Sequence, residues 1–182
     1  MYTGNHATER ADQPAFIMAS TGESVSYAEL DQRSNQLAHL LREHGLKRLD
    51  HYAIFMENNA RYVESCCAGE RSGLYYTCIN SYLTADELAY IVNNSESKII
   101  ITSIAKLPIV KEALATCPAI TLCLVVDGPE NEQPFLNYQR AIAHYPTTAI
   151  VDECLGTAML YSSGTTGRPK GIIRPLPEAP PS

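Results

Sequence analysis

An α/β fold, with a mainly parallel sheet and helices on both of its faces, is what this sequence predicts. Three observations carry that prediction. Short apolar runs alternate with helical patterns along nearly the whole chain. Those runs are almost continuously apolar, and two helix starts carry the spacing of a capping box. Strands that are apolar on both sides need cover on both faces, which strand–helix–strand succession supplies.

The elements follow in order. Residues Ala15–Ala19 and Ser24–Ser26 flank Thr21-Gly22 and read as a small hairpin. Ser26 and Glu29 have the S-x-x-E spacing, in which the hydroxyl accepts from a backbone N–H of the first turn while the carboxylate reaches back to the cap. Behind them Leu30, Leu37, Leu40 and Leu41 recur at helical spacing, and Gly45 stands where that helix would end. Tyr52–Met56 is a short apolar strand closed by Asn58-Asn59. A helix over Ala60–Ser72 stops at Gly73, and Leu74–Ile79 is the next strand. Thr84 and Glu87 repeat the capping box before Leu88, Ile91 and Val92. Lys98–Thr102 then reads as strand, Ile109–Thr116 as helix and Thr121–Val126 as strand. After the polar loop Asp127–Gln133, the pattern predicts a helix over Phe135–Ala143 and a last strand over Ala158–Ser162. Pro175, Pro177, Pro180 and Pro181 bar helix or central strand, so residues 175–182 form a Pro-rich loop after one unit over residues 1–174.

Composition narrows the function classes. The formal net charge is -6 and the basic residues are scattered, so nucleic acid is not expected as a partner. The segment Met1–Asp12 lacks the apolar core of a signal peptide. The most apolar runs, Lys98–Ile104 and Ala119–Val126, are too short for a transmembrane segment. Cys66, Cys67, Cys78, Cys117, Cys123 and Cys154 include no CxxC pair and no zinc-like spacing. They read as reduced, buried thiols of a cytoplasmic protein. His6, His39, His44, His51 and His144 stand near no candidate nucleophile.

The segment that carries chemistry is Tyr161-Ser162-Ser163-Gly164-Thr165-Thr166-Gly167-Arg168-Pro169-Lys170-Gly171. Glycines let a backbone approach an anion and turn its N–H groups inward. Hydroxyls donate to phosphate oxygens, and Lys170 supplies a cation. The G-x-x-x-x-G-K-[ST] cradle of P-loop NTPases does not fit: Lys170 follows Pro169 and precedes Gly171, and Ile172-Ile173 begin a β-like run instead of a helix.

The order Ser-Gly-Thr-Thr-Gly-x-Pro-Lys-Gly resembles the signature loop of the adenylate-forming superfamily, which includes acyl-CoA synthetases, luciferases and the adenylation domains of peptide synthetases. The likeness extends upstream. "SYAELDQRSNQLAHLLREHGL" from Ser26 is similar to the family's first helix, and "DHYAIFMEN" from Asp50 to its next strand. Residues 72–102 are similar to the strand–loop–helix–strand unit that follows. Leu49 stands where a glycine commonly precedes the aspartate, and Cys78 replaces a frequent proline, read here as a packing residue.

The resemblance implies that residues 1–174 are an incomplete N-terminal subdomain of an AMP-binding ligase of the long-chain fatty-acid–CoA ligase type. It implies a reaction in which a small-molecule carboxylic acid attacks ATP to give an acyl-adenylate, and CoA then takes the acyl group. It also assigns the ATP phosphates to Ser162, Ser163, Gly164, Thr165, Thr166, Gly167 and Lys170, and gives Arg168 no specific role. The ligands of Mg²⁺ are implied to lie beyond the present sequence, as are the acyl and adenine pockets. The chain alone is therefore expected to be inactive. Two other readings stay open: an adenylation domain that loads an amino or aryl acid onto a carrier protein, and a non-catalytic interaction module from a truncated gene. A sheet face left bare is expected to form a homo-oligomer through exposed apolar surface.

Overall fold

The computed structural model describes residues 2–128, 134–162 and 167–181. Helix α1 (Thr3–Glu9) precedes a hairpin of β1 (Pro14–Ile17) and β2 (Ser24–Ser26), then helix α2 (Tyr27–Glu43). There follow β3 (His51–Phe55), α3 (Ala60–Arg71), β4 (Tyr75–Cys78), α4 (Ala85–Asn94), β5 (Ser97–Ser103), α5 (Leu107–Leu114) and β6 (Leu122–Val126). Next come β7 (Phe135–Asn137), α6 (Tyr138–Ile142), β8 (Thr157–Ala158) and a second hairpin of β9 (Leu160–Ser162) and β10 (Lys170–Ile172).

Both expected capping boxes are present, with Ser26 and Thr84 each exchanging hydrogen bonds with the glutamate three residues on. Gly45 and Gly73, just past α2 and α3, have φ of 85° and 64°, a region that glycine occupies without steric cost. Leu49 takes the same region without that freedom, at φ 72°, and its N–H donates to the Gly73 carbonyl at 2.8 Å. The turn therefore keeps its left-handed geometry although a leucine occupies it, at a cost of about 1–2 kcal/mol.

Six strands form one sheet in the order β7-β6-β5-β3-β4-β8, with every neighbouring pair parallel. Successive residues point to opposite faces. Tyr52 and Ile54 accordingly join Leu37, Leu40 and Leu41 of α2 and Tyr138 and Ile142 of α6 in one core. Ala53 and Phe55 join Leu88, Ile91 and Val92 of α4 and Val110 of α5 in the other. The parallel sheet with helices on both faces is thus the observed architecture.

Three elements differ from expectation. Helix α1 lies in the polar N-terminal stretch and makes no side-chain cap hydrogen bond; docking holds it, with Thr3 buried and Tyr2 donating to Glu153 Oε2 at 2.6 Å. The helix predicted over Phe135–Ala143 is shorter, because Phe135–Asn137 pair with Cys123–Val125 as an edge strand and Asn137 then caps α6 through the Arg140 N–H. The strand predicted over Ala158–Ser162 is divided. Met159 donates the last backbone bond to Tyr76, at 2.9 Å, and the chain then leaves the sheet to pair with β10.

The Pro-rich terminal segment runs along the molecule rather than away from it. Tyr75 Oη donates to the Arg174 carbonyl at 2.6 Å, Arg48 Nη2 to the Leu176 carbonyl at 2.7 Å, and the Leu155 N–H to the Ala179 carbonyl at 2.9 Å.

Candidate functional site

In parallel α/β sheets, ligand sites form outside the carboxyl ends of the strands. The carboxyl end of β8 passes directly into β9, and the signature sequence lies between β9 and β10. The pairing is antiparallel and in register: Leu160 faces Ile172, Tyr161 faces Gly171 and Ser162 faces Lys170. Directly paired residues carry their side chains on the same face of a ribbon, about 5 Å apart at Cβ. Ser162 and Lys170 therefore flank the two ends of the loop from one side. Both are exposed, and no carboxylate lies within ion-pair distance of Lys170 among the described residues. Ser163, Gly164, Thr165 and Thr166 fall outside the described residues.

Gly171 is where the hairpin meets the body of the protein. A Cβ there would stand 2.4 Å from Met159 Cε and 3.1 Å from the Tyr161 ring, so only glycine permits this approach without rearrangement. The hairpin rests on α4. Tyr90 Oη donates to the Pro169 carbonyl at 3.0 Å, and Tyr161 Oη donates to Asn94 Oδ1 at 2.7 Å. The Arg168 guanidinium lies 4.9 Å from the Tyr90 ring centroid, a cation–π distance. Burial, with the neighbouring Tyr90, pushes the Tyr161 hydroxyl up to about 12, so it stays a neutral donor in this contact.

A cleft of about 250 Å³ opens beside the hairpin, lined by Thr77, Cys78, Asn80, Leu83, Tyr161 and Ser162 among others. It sits at the carboxyl end of β4, next to the strand that feeds the loop. A second concavity of about 420 Å³ runs along Leu83, Tyr90, Gly167, Arg168 and Pro169. Of the described candidate residues, Ser162 lines the first cleft and Gly167 the second, and Lys170 stands on the same hairpin opposite Ser162. Tyr90, Asn94 and Tyr161 position it; Tyr161 opens the segment read as chemical, whereas Tyr90 and Asn94 were not singled out from the sequence. Their signal is faint: Tyr90 and Asn94 differ by four on α4 and so share one face of that helix.

No group of three or more His, Cys, Asp or Glu side chains capable of holding a metal occurs among the described residues. No helix among the described residues is long and apolar enough to cross a membrane.

The fold and this hairpin together define an α/β protein with a parallel sheet covered by helices and a candidate loop at its carboxyl edge. The crystal structure of the anthranilate CoA ligase AuaEII in complex with anthranoyl-AMP shares the architecture. It has a TM-score of 0.83 and 22% sequence identity, over 94% of this chain and 33% of that one. A family model described as AMP-binding enzyme matches residues 4–175, and the chain belongs to that family. It is similar to the 4-coumarate–CoA ligase CCL1 of Humulus lupulus, at 29% identity over 94% of this chain and 32% of the relative. It is also similar to the 3-oxocholest-4-en-26-oate–CoA ligase of Rhodococcus rhodochrous, at 32% identity over 86% of this chain and 29% of the relative. The chain spans about a third of the length of these relatives.

Proposed function

We propose that this chain is the phosphate-gripping part of an ATP-dependent acyl-CoA synthetase. The observation that carries the proposal is the register of the second hairpin. Ser162 and Lys170 stand opposite each other at the carboxyl end of a parallel sheet, and between them runs the hydroxyl- and glycine-rich sequence.

The chemistry follows from where charge moves. A carboxylate oxygen attacks the α-phosphorus of ATP, the bond to the bridging oxygen breaks, and pyrophosphate leaves with the electron pair. Negative charge accumulates on the β- and γ-phosphates, so fixed donors there lower the barrier more than they tighten ground-state binding. Ser162, Ser163, Thr165 and Thr166 donate through hydroxyls, Gly164 and Gly167 through backbone N–H groups, and Lys170 through its ammonium group. The thiol of CoA then attacks the acyl carbon of the adenylate, and AMP departs. The relatives named above act on a hydroxycinnamic acid and a steroid acid according to their names, so the acid class remains a carboxylic acid in this proposal. A cytoplasmic setting belongs to the same reading.

Because the chain spans about a third of its relatives, the whole ligase is expected to form acyl-CoA from ATP, CoA and its acid, and this chain alone to form none. The check is acyl-CoA analysis by mass spectrometry on both proteins. Turnover by the isolated chain would overturn the assignment of the remaining chemistry to the rest of the ligase.

Leu160, Ile172 and Ile173 are each about half exposed on or beside the second hairpin. We propose a second copy of the chain as the partner of this apolar face. Light scattering is expected to read a dimer or larger species, and a monomer at micromolar concentration contradicts it.

A further inference from the structure

Cys66, in the middle of α3, and Cys78, the last residue of β4, hold their sulfur atoms 3.9 Å apart in a thiol–thiol hydrogen bond. Cys67, Cys117, Cys123 and Cys154 are buried, whereas Cys66 is half-buried and Cys78 exposed. The expectation that every cysteine is a buried packing residue is therefore corrected at Cys78: β4 ends there, and the next turn opens into the cleft beside Ser162.

The surroundings divide the two sulfurs into different chemical roles. The hydrogen bond with Cys66, aided by one with the Tyr62 hydroxyl, holds the Cys78 thiol below its ordinary value against the opposing effect of burial. The same hydrogen bond, together with burial, pushes the Cys66 thiol well above its ordinary value. A thiolate, not a thiol, is the nucleophile in sulfur chemistry. Cys78, exposed at the end of β4, is the accessible sulfur of the pair, and the Cys66 sulfur lies 3.9 Å from it.

We propose that Cys66 and Cys78 form a reversible dithiol–disulfide pair, oxidised by a hydroperoxide, with Cys78 as the attacking sulfur and Cys66 as the resolving one. The Cys78 thiolate attacks the terminal peroxide oxygen; the O–O bond breaks, the alkoxide leaves and takes up a proton, and Cys78 becomes a sulfenic acid. Cys66 then loses its proton and attacks the Cys78 sulfur; the S–S bond forms, the S–O bond breaks, and hydroxide leaves as water. In sum, two thiols and one hydroperoxide give a disulfide, an alcohol and water, and a dithiol reductant returns both thiols. The sulfurs need to close from 3.9 Å to the bond length of about 2.0 Å. The proposal is independent of the nucleotide chemistry above, although the new bond would draw one wall of the Ser162 cleft toward α3.

The test uses the reduced chain, treated with one equivalent of hydrogen peroxide, alkylated, digested without reductant and mapped by mass spectrometry. The expected result is the loss of two of the six thiols and one cross-linked peptide pair joining Cys66 to Cys78, both reversed by dithiothreitol. In Cys66→Ser, Cys78 is expected to accumulate as a sulfenic acid trapped by dimedone. Oxidation falling first on another cysteine, or Cys78 passing to sulfinic acid with no cross-link in the unsubstituted chain, would overturn the proposal. The decisive map is made on the unsubstituted chain, so the outcome does not depend on any variant folding.

Discussion

Replacing Arg71 with methionine is expected to destabilise the chain by about 3 kcal/mol, the low end for removing one partner of a buried ion pair. Arg71 ends α3 and is only 1% exposed, yet its side chain meets residues from three other segments of the chain. Its Nη2 donates to Asp31 Oδ1 at 2.6 Å, and its Nη1 donates to the Asp31 carbonyl at 3.0 Å and to Ser34 Oγ at 3.1 Å. Its Nε lies 3.3 Å from Glu153 Oε1 without hydrogen-bond alignment, so that contact is chiefly coulombic. Its guanidinium carbon also sits 5.3 Å from the Tyr2 ring centroid. Methionine fills much of the volume but leaves the Asp31 and Glu153 carboxylates facing a site without its cation. Both carboxylates keep about a fifth of their surface in water, which is why the low end of the range applies. In a domain of this size, such a loss lowers the melting temperature by about 6–12 °C. Urea unfolding measures it directly: a midpoint that falls at constant slope supports the account, and an unchanged midpoint contradicts it. Arg71→Lys is expected to recover only part of the loss, since it keeps the charge but not the planar fork.

Sequence legibility followed the range of the forces involved. The caps at Ser26 and Thr84 were readable because each depends on a partner three residues away. The inner strands β3, β4, β5 and β6 were readable because each is largely an apolar run. By contrast, Phe135–Asn137 became a strand only because the edge of β6 was free to accept it. Met159 marks the break between β8 and β9: it donates to the Tyr76 carbonyl, and the residues after it pair with β10, further along the chain. Neither fact is local. Arg71 reads as an ordinary charged residue near a helix end, and its burial depends on Asp31 and Glu153, far away in sequence. The candidate site shows the same division. The order of residues from Ser162 to Gly171 announced the loop, whereas its support by Tyr90 and Asn94 depends on contacts spanning 79 and 67 residues.

The second large effect concerns the loop itself. Lys170→Ala combined with Thr165→Val and Thr166→Val is expected to reduce adenylate formation by the full-length ligase at least about 1,000-fold, since loss of one such preorganised donor alone costs roughly 100- to 1,000-fold. The loss should fall mainly on kcat, because the charge these groups meet develops as pyrophosphate departs. Circular dichroism is expected to remain unchanged: Lys170 is exposed, and the main support of the hairpin comes from Gly171, Pro169 and Tyr161. The direct measurement is acid-dependent exchange of labelled pyrophosphate into ATP, which reads the first step alone and needs no thiol acceptor. Exchange that falls at least about 1,000-fold in the folded triple variant is the predicted result. Exchange at the unsubstituted rate would mean that the pyrophosphate is held somewhere else.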